Sequence, residues 1–182
     1  EFNVKLDFSP STTNYAKVYL VSDAPNLDSS LTGYFVKIGG EIGSVDDISL
    51  YSQSGSSTSK IIDGTNGVAA TNPDLKIKVT RDDLGNWELF TNTSGTYFSE
   101  GTVFDNTITS SDYFGVYCTY SPTRAKKMWF DNFNVSGTFL SDTTKPEIIL
   151  ASIISNNSVL IEFSEDIDLV SAQNINNYSI DN

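Results

Sequence analysis

Histidine is missing altogether from these 182 residues. That removes Ser-His-Asp and Cys-His nucleophile systems and the usual zinc ligands. Cysteine occurs once, as Cys118, so no disulfide can form within the chain. It sits in the apolar run YFGVYCTY and reads as a small buried hydrophobe. Disulfide usage therefore speaks neither for nor against an extracellular setting. Basic residues are scarce, 11 against 23 acidic, for a net charge of −12. Such a surface repels phosphate backbones and anionic lipid, which argues against nucleic acid and membrane-surface partners. No apolar run approaches the roughly 18 residues of a membrane span, so membrane insertion is not expected. No signal peptide is visible, and the chain opens on Glu1-Phe2 rather than Met. The expectation is a processed or excised piece lacking its first strand, unless the leading Glu-Phe is a cloning scar.

What remains is rich in aromatics, at 12%, which marks a globular rather than a disordered chain. The dominant signal is period-two alternation. It is clearest in NPDLKIKVTRDDLGNWELF, Asn72 to Phe90, where Leu75, Ile77 and Val79 alternate with Lys76, Lys78 and Thr80. Gly85-Asn86 supplies the turn, and Trp87 and Leu89 resume the apolar face. Phe2, Val4, Leu6 and Phe8 form another such strand. In Tyr15 to Val21, Ala16, Val18 and Leu20 are expected on one face and Tyr15, Lys17 and Tyr19 on the other. Further strands are expected over Tyr34 to Ile38, Asp46 to Gln53, a short run to Ile62, Tyr97 to Phe104, Tyr113 to Tyr120 and Lys126 to Val135. Short, regular spacing with Gly- and Ser-rich turns and no long helix predicts an all-β, antiparallel jelly-roll β-sandwich.

Composition shifts at Gly137, and 139–146 reads as a polar, Pro-terminated linker. The predicted division is thus a domain over 1–138, the linker, and two more strands within 147–182. That last segment is too short for an independent sandwich without staples.

The run YFGVYCTYSPTRAKKMWFDNFNVSG, the pattern KVTRD-x-x-G-x-W-x-L and the upstream YAKVYLVSD and GYFVKIGG resemble a concanavalin A-like (laminin-G/lectin-like) jelly roll of exported Bacteroidetes multidomain proteins. The segment DTTKPEIILASIISNNSVLIEFSEDIDLVSAQNINNYSI is similar to the opening of a bacterial Ig-like domain of the S-layer-associated type, here truncated. The resemblance implies type IX secretion, a secreted or cell-surface location, neighbouring domains in the same parent protein, and a non-catalytic binding or adhesive role. The structural alternative is a spacer or stalk.

Three chemistries follow for testing. A glycoside hydrolase of this superfamily would need Glu-x-Asp-x-x-Glu on one strand, with carboxyls about 5–5.5 Å apart in a retaining enzyme. The motif is absent. Glu162, Glu165 and Asp168 come closest but lie past the linker, so no enzyme is expected. A polysaccharide site would pair flat aromatics with amide and carboxylate groups. Outward-facing Tyr15, Tyr19, Tyr51 and Tyr117, with Asp47 and Gln53, have that chemistry; the alternative is that these tyrosines simply pack. Asp131 shares by parity the face of Trp129 and Phe133, and an acid on an apolar face calls for a partner or a cation. The resemblance places a calcium ligand there, the alternative being hydrogen bonds at the sheet edge. Asp46-Asp47 is a weaker candidate, expected to be solvated. Arg124, Lys126 and Lys127 form a small basic cluster, read as a solvated loop.

Overall fold

The computed structural model describes residues 1–43, 45–138 and 143–179. Positions 139–142 of the expected linker and 180–182 of the expected second domain lie outside the described residues. The chain divides into two compact units, Glu1–Ser136 and Gly137–Asn182.

The first unit is an all-β sandwich. One sheet has the order β10-β1-β6-β7-β8, built from β1 (Phe2–Leu6), β6 (Asp74–Arg81), β7 (Asn86–Asn92), β8 (Phe98–Phe104) and β10 (Met128–Asp131). The other has the order β5-β4-β3-β2-β9, from β2 (Tyr15–Ser22), β3 (Leu31–Ile38), β4 (Ile48–Gly55), β5 (Ser57–Ile62) and β9 (Tyr113–Thr119). All pairings are antiparallel. Alternation explains the core directly. Val4 and Leu6 from β1, Leu75 and Ile77 from β6, and Trp87 and Leu89 from β7 face Ala16, Val18, Val36, Ile38, Ile48 and Leu50 of the second sheet. All are buried. The β6–β7 turn forms as its chemistry predicts: Asp82 Oδ1 accepts from the N–H groups of Leu84 and Asn86, and Gly85 takes a φ of +97°. Cys118 faces inward against the core, and burial raises its thiol pKa.

Two departures from strict alternation matter. β2 carries a register shift between Tyr19 and Val21, so Leu20 is the extra residue of a bulge and both Leu20 and Val21 pack against the core. The expected strand Lys126 to Val135 is confined to Met128–Asp131, because Lys126 and Asn132 adopt left-handed φ values of +62° and +54°. After Asn132 the chain turns, and Phe133 stacks on Phe2 with ring centroids 5.5 Å apart.

The second unit contains the hairpin β11 (Ile148–Ser155) and β12 (Ser158–Phe163), then a short helix α1 (Leu169–Gln173). Asp168 caps that helix, its Oδ1 accepting from Ser171 N–H at 2.9 Å. Ile149, Ile153 and Ile154 of the hairpin lie exposed.

Two outcomes are expected. Trp87→Ala should lower the urea unfolding free energy by about 3–5 kcal/mol, since it removes a buried ring from the core; an unchanged midpoint would place Trp87 outside it. Deleting 137–182 should leave the thermal unfolding of the first unit intact by circular dichroism, and collapse would show a shared core.

Candidate binding face

Strands of the second sheet must present two faces, and the outer one is aromatic. β2 sends out Tyr15, Lys17 and Tyr19, β3 Phe35 and Lys37, β4 Tyr51 and Gln53, and β9 Tyr117. Register aligns them. Lys60, Tyr51, Phe35 and Tyr19 run in line across β5, β4, β3 and β2. In the adjacent row Lys37 stands opposite Lys17, which stands opposite Tyr117. The Phe35 ring stacks on Tyr51 at 5.2 Å and 4° between planes, and meets Tyr19 at 4.9 Å and 42°.

Like charges opposite one another on a sheet repel. Here the rings offset that repulsion. Lys17 Nζ lies 4.6 Å from the centroid of Phe35, 5.5 Å from Tyr117 and 5.8 Å from Tyr19. Lys37 Nζ lies 5.2 Å from Tyr15 and 5.8 Å from Tyr51. Burial first, then Lys37, pulls the Lys17 pKa below its ordinary value against the opposing pull of Asp28. Lys17 makes no ion pair among the described residues.

The predicted carbohydrate residues gather on this face but divide in two. Tyr15, Tyr51 and Tyr117 remain partly exposed. Tyr19 and Gln53 are buried beneath the β2–β3 loop. Leu27 of that loop packs against Tyr19, and Gly115 makes room for it, since a Cβ there would lie 2.9 Å from Leu27 Cδ1. The Tyr19 hydroxyl donates to Gln53 Oε1 at 2.7 Å, and Gln53 Nε2 donates to the Gly55 carbonyl at 2.9 Å. Burial is the main cause raising both the Tyr19 and Tyr51 hydroxyls to about 12. Tyr19 and Gln53 therefore support the face, while the other three tyrosines form its accessible surface.

One end of the face is closed by charge. Lys60 Nζ donates to Asp63 Oδ1 at 2.6 Å and Asp47 Oδ2 at 2.8 Å, and lies 3.7 Å from Glu41 Oε1. Lys37 Nζ meets Glu41 Oε1 at 3.2 Å. Asp46 and Asp47, expected to be solvated, are each only 1% exposed. Asp46 is buried because its Oδ1 accepts from Glu41 N–H, and Asp47 because Lys60 reaches it. Burial raises the Asp47 pKa despite Lys60. Glu41 goes the other way: burial pushes it up, but Lys37 and Lys60 outweigh that and hold it low.

Asp131 does not fit a calcium ion. It is exposed, and its Oδ1 accepts from the N–H of Asn132. The turn at Asn132 takes Phe133 away from the face of Trp129 and Asp131, so the apolar surroundings that called for a cation are not there. Among the described residues no group of three or more carboxylate or thiol side chains is disposed to hold a metal. No helix among them is long and apolar enough to cross a membrane.

Alternation alone missed Phe35, because Tyr34, Phe35 and Val36 form a continuous apolar run within β3. It also missed Lys37, Lys60 and Glu41, whose roles depend on contacts between strands and loops.

Lys60→Met should cost about 3 kcal/mol near neutral pH, the scale for stranding a buried carboxylate. Asp47 has a raised folded pKa, so the folded state holds its proton more tightly than the unfolded chain does. Its unfavourable contribution is therefore absent below the unfolded pKa and grows as pH rises through the folded one. The deficit of Lys60→Met, followed by urea unfolding across the acid range, should shrink as pH falls; a pH-independent deficit would show that Asp47 does not depend on Lys60.

Neither family models, curated proteins nor solved structures match this chain, and the meaning of this face rests on its own chemistry.

Proposed function

We propose that this chain is a non-catalytic binding module of a secreted or cell-surface protein, and that the outer face of the β5-β4-β3-β2-β9 sheet engages polysaccharide. The observation that carries the reading is the grouping of Tyr15, Tyr51 and Tyr117 around Lys17 and Lys37. Flat rings offer stacking surfaces for the apolar faces of sugars. Lys17, which makes no ion pair among the described residues, favours a saccharide bearing carboxylate or sulfate groups. The two facing sheets are compatible with the concanavalin A-like jelly roll that the sequence resembles, and the second unit is read as the start of an Ig-like domain. Calcium has no part in this reading, and neither does a catalytic step.

A spacer role is the second reading. It is favoured by the β2–β3 loop, which already covers Tyr19, and by the Lys60 ion cluster, which consumes charge internally.

The test is a polysaccharide screen covering neutral, uronate-bearing and sulfated chains, run with calcium and with EDTA. Binding of acidic chains, indifferent to EDTA, is expected. Tyr117→Ala should weaken it about 2- to 10-fold, the scale of one aromatic contact, with the melting temperature unchanged. Lys17→Gln should weaken binding to acidic chains selectively. No binding by a folded sample would establish the spacer reading.

A further inference from the structure

The inward face of β6 continues past the core. Leu75, Ile77 and Val79 are followed on the same face by Arg81, paired in register with Trp87. Arg81 is half-buried there, at one end of the sandwich. Its Cζ sits 5.1 Å from the Trp87 ring centroid. Its Nε is buried and has no hydrogen-bond partner, and Arg81 makes no ion pair among the described residues. The nearby Asp105 carboxylate feels the charge of Arg81 but makes no ion pair with it; its Oδ1 accepts from the hydroxyls of Tyr34 at 2.6 Å and Thr107 at 2.7 Å.

Arg81 borders a cavity of about 260 Å³. Its lining is mixed: Leu20, Val21, Val79, Trp87 and Phe114 from the two sheets and Phe133 give it an apolar side, and polar groups including Glu1 and Asn134 complete it. Leu20 and Val21 reach it from the bulge in β2, and Phe133 from the turn that follows β10. Glu1 is the acid on the rim, and its Oε2 accepts from the hydroxyl of Tyr97. The volume lies between the roughly 150 Å³ that holds a benzene and the 300 Å³ or more of drug-sized sites.

We propose that this cavity binds a small amphiphilic carboxylate, its head paired with Arg81 and its aliphatic or phenyl body against the apolar side. An unpartnered buried donor on a cation is costly, and a carboxylate is the group whose geometry satisfies a guanidinium edge. A neutral apolar ligand would fill the space and leave that donor unsatisfied. The site is separate from the tyrosine–lysine face and does not depend on its function.

The experiment titrates the full chain with sodium octanoate, octan-1-ol and sodium acetate. Trp87 fluorescence is the readout, in a Trp129→Phe background that leaves it the sole tryptophan. Octanoate should bind about tenfold or more tightly than octanol, and acetate much more weakly than either. Arg81→Met should abolish the preference for octanoate while retaining octanol binding. Equal binding of octanoate and octanol to the wild-type pocket would overturn the proposal, and that comparison needs no Arg81 variant to fold. Absence of any octanoate response at millimolar concentration would overturn it as well.

Discussion

The structure depends on one demand placed on the β5-β4-β3-β2-β9 sheet: both of its faces must be furnished at once. On the inside, Ala16, Val18, Val36, Ile38, Ile48 and Leu50 meet the other sheet. On the outside, the side chains between them in sequence form a second, smaller cluster centred on Tyr19, Leu31 and Phe35. A sheet that faces water on one side needs no such cluster. Here the outer aromatics are dense enough to require covering, and the β2–β3 loop covers some of them. What it leaves partly exposed, Tyr15, Tyr51 and Tyr117, is the accessible part of the face.

Charge on that face follows from the same demand. Lysine suits an aromatic surface because its alkyl stem packs along the rings and its ammonium sits over them. Lys17, Lys37 and Lys60 all do this. They differ in what else they meet. Lys60 serves Asp47 and Asp63, and Lys37 meets Glu41, whereas Lys17 lies over rings and makes no ion pair among the described residues. The internal pairs fix the loop ends around Asp46 and Asp47. The unpaired lysine is left in the middle of the tyrosines, where a ligand's charge is worth most.

Much of this fold was legible in the sequence, because alternation is a local property and the strands obey it. The strand from Phe2 to Leu6, the β6–β7 hairpin with its Gly85 turn, and the inward placement of Trp87 all follow from pattern and turn chemistry. So does the outward parity of Tyr15, Lys17, Tyr19, Tyr51, Gln53 and Tyr117. The failures have one kind of cause, which is geometry that acts between elements. Nothing in YLV marks Leu20 as a bulge; that depends on how β2 meets β3. Asp131 was phased by counting from Trp129 to Phe133, but Asn132 takes a left-handed turn and breaks the count. Tyr19 and Gln53 face outward as predicted, yet the β2–β3 loop folds back over them, which alternation does not encode. Asp46 and Asp47 read as solvated acids because the lysine and backbone groups that neutralise them come from elsewhere.

The same distinction separates a buried acid and a half-buried base of the first unit. Asp47 and Arg81 both sit where apolar side chains would be cheaper. Asp47 is answered within the chain at its Oδ2, by Lys60, while its Oδ1 is buried without a partner. Arg81 is answered only in part, by the face of Trp87, and its buried Nε is left over. A purely structural arginine at the end of β6 would turn its guanidinium to solvent or to Asp105. Asp105 instead accepts from Tyr34 and Thr107 through its Oδ1, with the Trp87 indole donating to its backbone carbonyl at 2.8 Å. Asp105 thus acts on Arg81 through its charge without pairing with it, and the cavity beside the guanidinium leaves room for an anion.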